Sequence, residues 1–182
     1  MKICLYGAAS DLIDKKYLIE VEKLFEKFAK DGHALVFGGG REGEMGAAAR
    51  GMYAGGGEIV SVFPKFFIEE NLEPQFEHLT EQILVDTLKE RKAKMEELAD
   101  CFLVVPGGIG TFDEFFETLT LKQLGRHNKE IVLFNIDGFY DPIIEMMEKA
   151  KEEGFLRRNS WDMYKVFDNA EEIREYLNNS GK

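Results

Sequence analysis

The chain has 182 residues, 45% of them apolar, enough for one domain with a substantial core. Thirty-four acidic residues against 23 basic give a formal charge of −11, which argues against a nucleic-acid binder, whose affinity depends on clustered Lys and Arg. A small-molecule ligand fits better, and an anionic one must be held by local dipoles and a few cations rather than by the field of the whole protein.

The two cysteines, Cys4 and Cys101, both fall in apolar runs; they read as small buried hydrophobes, without a disulfide framework. No apolar run approaches the ~18 residues of a membrane span, and the N-terminus goes straight into a strand, so a soluble, cytoplasmic protein is expected.

Ile3 to Tyr6 predicts a short strand leading into the small-residue turn Gly7-Ala8-Ala9-Ser10, with a helix beginning near Asp14. Tyr17, Leu18, Val21, Leu24, Phe25 and Phe28 recur at three- and four-residue spacing, an amphipathic helix that Asp31-Gly32 stops. Ala34 to Phe37 reads as a second buried strand and runs directly into the stretch from Gly38 to Gly46, five glycines in nine residues. Such a run marks a tight turn or a surface that a ligand presses against, and the helix Glu44 to Ala54 that follows at once favours the ligand. Its spacing is not GxGxxG, so no dinucleotide cofactor is implied.

Glu58 to Phe63 predicts a third strand. Residues 64 to 81 have no clean period and contain Pro64 and Pro74, which suits a plain connection or a flexible lid. After a fourth strand, Ile83 to Val85, a helix from Thr87 carries Lys89, Arg91, Lys92 and Lys94, four cations in six positions. A solvated face is the bland explanation. Yet cations are disfavoured near a helix start, and a bound phosphate would supply a reason for Arg91 and Lys92.

Cys101 to Val105 predicts a strand covered on both faces, ended by Pro106. Gly107, Gly108 and Gly110 let the backbone take positive φ and aim several N–H groups at one anion; Thr111 fits an N-cap, and the helix it opens adds its positive dipole end. Asp113 and Glu114 then sit in the first turn. Thr111-Phe112-Asp113-Glu114 is also a T-x-x-E capping box, so Glu114 is either a cap or a chemical group. The helix runs on to Gly125, followed by a sixth strand at Ile131 to Phe134, an amphipathic helix at Phe139 to Glu153, a peripheral strand at Met163 to Phe167 and a last helix at Ala170 to Leu177. Strands alternating with helices predict a single α/β domain, a doubly wound parallel sheet with ligands beyond the carboxyl ends of its strands. His33, His78 and His127 are scattered without metal-ligand spacing and read as surface or structural residues.

The run Pro106 to Glu114 resembles the PGGxGTxxE signature of the Lonely Guy family of cytokinin-activating phosphoribohydrolases. Gly38-Gly39-Gly40 through Gly46, Glu90-Arg91-Lys92 through Met95, and Gln123-Leu124-Gly125 are similar to family blocks in the same order, over most of residues 3 to 156. The resemblance implies a Rossmann-like sheet, a homodimer or higher homo-oligomer, and cleavage of a nucleoside 5′-monophosphate into base and ribose 5-phosphate, without metal or cofactor. Carried over by position, Arg91 and Glu114 become the catalytic pair. Gly39, Gly40, Gly43, Met45, Gly46, Lys92, Gly107, Gly108, Ile109, Gly110, Thr111 and Thr120 fall around the nucleotide, with Glu69, Glu70 or Glu73 near the ribose.

Breaking a ribosyl N-glycosidic bond builds positive charge on C1′ and the ring oxygen, which a carboxylate beneath the sugar stabilises. Glu114 suits that role, kept ionised by the helix N-terminus; Arg91, charged at any working pH, supports the phosphate or the departing base. The chain departs from the family pattern at Glu44, where leucine is common, at Lys89, where histidine is, and at Leu121, where tryptophan is; these bear on base preference more than on chemistry. Proteins similar to the family bind molybdenum cofactor through the same turn, so the alternative is a non-catalytic nucleotide or molybdenum-cofactor carrier, which needs the glycines and cations but not Glu114. Some relatives carry a lysine decarboxylase label, but no pyridoxal-phosphate lysine motif is recognisable.

Overall fold

In a computed structural model, which describes residues 1–156 and 162–180, seven short apolar segments lie side by side in one parallel sheet. They are β1 (Lys2–Tyr6), β2 (Ala34–Phe37), β3 (Glu58–Pro64), β4 (Glu81–Val85), β5 (Cys101–Val104), β6 (Glu130–Phe134) and β7 (Lys165–Phe167), in the order β4-β3-β2-β1-β5-β6-β7. The chain builds outward from β1 to β4, then returns to lay β5 against the free side of β1. The strand order therefore reverses between β1 and β5, the place where open α/β sheets leave a crevice at their carboxyl ends.

Successive side chains on a strand point to opposite faces, and both faces are covered. Ile3 and Leu5 pack with Val21 and Phe25 of α1 (Lys15–Lys30) and with Ala48 and Met52 of α2 (Gly43–Ala54). Cys4 and Tyr6 face the other way, toward Met95 of α4 (Leu88–Leu98) and Phe115 and Leu119 of α5 (Ile109–Gln123). The doubly wound α/β architecture expected from the sequence is the one observed, and both cysteines are free and buried. The remaining helices are α3 (Lys65–Glu69), α6 (Asp141–Glu152) and α7 (Ala170–Ser180). No helix of the described residues is long and apolar enough to cross a membrane.

Three local expectations change. The helix after the central glycines starts before Thr111: Gly108 is the N-cap of α5, with no side-chain cap, and Thr111 lies inside the first turn. Glu114 is therefore one turn too far along to cap anything, and Asp113 and Glu114 are not first-turn residues. The same T-x-x-E spacing does cap α4, where Thr87 Oγ1 accepts the Glu90 N–H at 3.1 Å and the Glu90 carboxylate accepts the Asp86 N–H at 2.9 Å. Second, none of Gly107, Gly108 and Gly110 takes a positive φ, whereas Gly39 (88°) and Gly43 (60°) do. Third, the stretch from 64 to 81 is not plain connection. It contains α3, and its middle pairs antiparallel with the second glycine run: the Arg41 N–H donates to Pro74 C=O and the Phe76 N–H to Gly39 C=O, each at 2.9 Å.

Candidate active site

A cleft of about 430 Å³ opens at the reversal point. Its walls come from the turn after β1 (Gly7 to Ser10), Met45 of α2, Phe67 and Glu73 from the stretch after β3, Arg91 of α4, and Gly108, Gly110, Thr111 and Glu114 at the start of α5.

The start of α5 is bare on this side. Its first intrahelical bond runs from the Phe112 N–H to Gly108 C=O at 3.0 Å, so the N–H groups of Ile109, Gly110 and Thr111 precede it in the helix. A β-carbon on Gly108 or Gly110 would meet no protein atom within 4 Å, and neither residue has a positive φ. Packing and backbone conformation alike leave these two glycines unexplained; without side chains they leave the helix end uncovered. Gly107 is different, since a β-carbon there would overlap the Thr111 side chain.

Arg91 is 9% exposed. Its guanidinium lies against the backbone of Gly38, where a β-carbon would overlap it, and its central carbon stands 5.8 Å from the centre of the Phe67 ring. Its Nε has no hydrogen-bond partner among the described residues. Gly40 is bare for a similar reason: a β-carbon there would overlap the Glu73 carboxylate. At Gly38 and Gly40 the second glycine run thus seats the protein's own side chains. Gly39 turns the chain, Gly43 donates its N–H to Asp11 Oδ1 at 2.7 Å, and Gly46 packs on the Arg41 carbonyl. Of the positions predicted from this run, Met45 alone lines the cleft.

Glu114 faces this cation from α5. Burial pushes its carboxyl up to about 7; Arg91 opposes the rise, Asp113 adds to it, and Lys92 and Glu73 contribute less, in opposite directions. The sequence expectation that the helix terminus keeps Glu114 ionised fails, because the dipole acts within the first turn and Glu114 sits beyond it. Burial likewise raises Glu73, against the pull of Arg91, and Glu73 Oε1 is buried without a partner. Of the three acids left open by the sequence, Glu73 lines the cleft, while Glu69 and Glu70 are exposed.

Three predicted residues stand elsewhere. Lys92 binds Asp113 at 2.8 Å and also Glu117, two carboxylates on α5, and does not line the cleft. Thr120 is exposed further along α5, its hydroxyl donating to Phe116 C=O at 2.7 Å. Ile109 is 83% exposed and does not line the cleft.

The turn after β1 went unread as a site, its only signal being four small residues where a strand meets the reversal point. Beneath it lies Glu44, fully buried, with one carboxyl oxygen accepting the Ala8 N–H at 3.2 Å and the other unpartnered. Burial lifts this carboxyl to about 8. The cleft therefore joins an uncovered helix N-terminus, a clamped cation and a carboxyl able to exchange a proton near neutral pH.

A sequence profile for the family described as "Possible lysine decarboxylase" matches residues 45–177. A cytokinin riboside 5′-monophosphate phosphoribohydrolase of Arabidopsis thaliana is 33% identical over 176 residues, which span 97% of this chain and 82% of the relative. The protein of that name from Rhodococcoides fascians is 41% identical over 143 residues, 78% of this chain and 71% of the relative. Among solved structures, the molybdenum cofactor binding protein of Rippkaea orientalis superposes with a TM-score of 0.75 at 17% identity, covering 100% of this chain and 97% of the other. The molybdenum cofactor carrier protein of Chlamydomonas reinhardtii gives 0.72 at 19% identity, covering 100% and 98%. Likeness at such identity is a likeness of fold alone. On the profile match and the curated relatives together, this chain belongs to the Lonely Guy family, whose curated members here are named cytokinin riboside 5′-monophosphate phosphoribohydrolases.

Proposed function

We propose that the protein hydrolyses the N-glycosidic bond of a nucleoside 5′-monophosphate, of the AMP or cytokinin riboside monophosphate type, releasing free base and ribose 5-phosphate. One observation carries the reading: Arg91 and Glu114, on different helices, line one cleft with the bare start of α5. The 5′-phosphate binds the first N–H groups of α5, and the ribose lies across Glu73 and Glu114. As the bond from C1′ to the base nitrogen breaks, the electron pair leaves with the base and positive charge grows on C1′ and the ring oxygen. Glu114, as carboxylate, stabilises that charge and takes a proton from the attacking water; the departing base gains one proton from solvent, balanced by the one Glu114 afterwards releases, and Arg91 balances charge on the phosphate or the departing base. The curated relatives' names support this chemistry. No lysine is among the residues that line the cleft, so the decarboxylase description finds no Schiff-base group there.

The test is Glu114→Gln, with adenine release from AMP followed by chromatography. The variant keeps the shape of the side chain and loses its charge and its proton acceptor. Turnover is expected to fall about 100- to 1,000-fold, with AMP binding and the melting temperature near those of the parent. An equally active variant would remove Glu114 from the chemistry. Tight binding of 5′-monophosphates by both proteins, with base released by neither, would replace the enzyme by a nucleotide or molybdenum-cofactor carrier.

The same reading includes a homodimer. Ile109, Phe116 and Leu124 of α5 and its C-cap are 83%, 39% and 61% exposed, an apolar edge that a second copy would cover.

A further inference from the structure

We propose that a second hollow, outside the cleft, binds a planar aromatic anion. It measures about 390 Å³ and is lined by Arg41, Arg50, Tyr53, Phe76, Glu77 and His78. Tyr53 and His78 are stacked, with ring centres 4.3 Å apart and planes 13° from parallel, yet Tyr53 is 55% exposed. Phe76, 8% exposed, meets the His78 ring nearly edge-on at 5.9 Å and anchors the pair to the core. A further hollow, bounded by Gly56, Gly57, Leu79 and Thr80, lies against the same two residues, so the pair borders open space in both. A flat ring from solvent can extend such a stack.

The charges select an anion. Arg41 has no ion-pair partner among the described residues, and on a chain of net charge −11 an unpaired guanidinium beside a second arginine is a local exception. Arg50 spends its Nε on Glu22 at 3.0 Å and its Nη1 on the Arg41 carbonyl at 3.4 Å, which holds it beside Arg41. Glu77 is the one acid in the lining, and with Arg50 held by Glu22 the guanidinium left for a ligand is that of Arg41. An aromatic ring on Tyr53 and His78 with a phosphate or carboxylate on Arg41 satisfies both halves of the hollow.

The hollow and the cleft share a wall. Gly39 to Arg41 is hydrogen-bonded to Pro74 to Phe76; Arg41 and Phe76 line the hollow, while Gly40 lies against Glu73, which lines the cleft. An occupant of the hollow therefore bears on the strip that holds Glu73.

Titration of the full chain with AMP and, separately, with 1-naphthoate, followed by ¹H–¹⁵N NMR, tests the site. Saturable shifts of the Arg41, Tyr53 and His78 amides are expected, separable from shifts of Gly108 and Gly110 in the cleft. Both Arg41 and Tyr53 are exposed, so Arg41→Ala and Tyr53→Ala should stay folded and raise Kd for the hollow by about tenfold or more. Cleft shifts should be unaffected. A response to AMP alone supports a nucleotide, to naphthoate alone an aromatic carboxylate, and to both the shared chemistry. No shift at the hollow with either probe at millimolar concentration overturns the proposal, as does an unchanged Kd in both variants. Neither result depends on whether the cleft hydrolyses AMP.

Discussion

Two carboxyls of raised pKa set the pH behaviour. Glu114, lifted to about 7 by burial, must be ionised to act as base, so turnover should rise with pH along a limb centred near 7. A rate profile flat from pH 5.5 to 8.5 would deny it that role. Both also bear on stability in the same direction, and Glu44, with the larger shift, bears on it more. Its carboxyl stays neutral in the folded protein up to about 8, against an ordinary 4.5, so between those values the folded state binds more protons than the unfolded one. The Glu44 contribution to stability is then full below 4.5 and drains away as pH rises toward 8, by an amount on the order of a few kcal/mol. Glu44→Gln should flatten this slope, visible as a smaller gap between melting temperatures at pH 5 and pH 8.5 than in the parent. Neither value was legible in the sequence, because burial of a carboxyl follows from which helix packs over which turn.

At the scale of elements, the two T-x-x-E segments carry the lesson. Thr87 to Glu90 caps α4, while Thr111 to Glu114 leaves its glutamate in the cleft, with identical spacing in both. What separates them is where the backbone enters the helix, and that is decided by the glycines before Thr111. Gly110 makes the distinction measurable. It lies inside α5 with open space around it, so Gly110→Ala should stabilise the helix by about 0.5–1 kcal/mol in denaturant unfolding. The same methyl group intrudes where a phosphate would sit, so AMP affinity should fall about tenfold or more. A variant that gains stability and keeps its affinity would move the phosphate away from this turn. The glycine run before Met45 was harder to read, since close approach by a ligand and by the protein's own Arg91 demand the same residue. Glu73 was harder still, because no periodicity marks a segment held by two bonds to a distant turn.

For the molecule as a whole, the alternation of buried apolar runs with amphipathic stretches made all seven strands and the parallel architecture readable. The order of the strands was not, for it depends on which edge of β1 remains free when β5 arrives. The surface carries the next test: sedimentation equilibrium should give about twice the 20.8 kDa chain mass, and Phe116→Glu should return it to one. A concentration-independent single-chain mass for the parent would end the dimer proposal. The pairing of β1 with β5, Ile3 beside Cys101 and Tyr6 beside Val104, also fixes when the cleft comes into being. Its seam joins stretches that leave the ribosome far apart in time, and closing so long a loop is slow. Gly38 and Arg91, which meet in the folded protein, precede β5 in the chain, whereas Glu114 and the bare helix end follow it. A nascent chain has no complete cleft until it has been synthesised as far as Glu114, the last residue in the sequence that lines it.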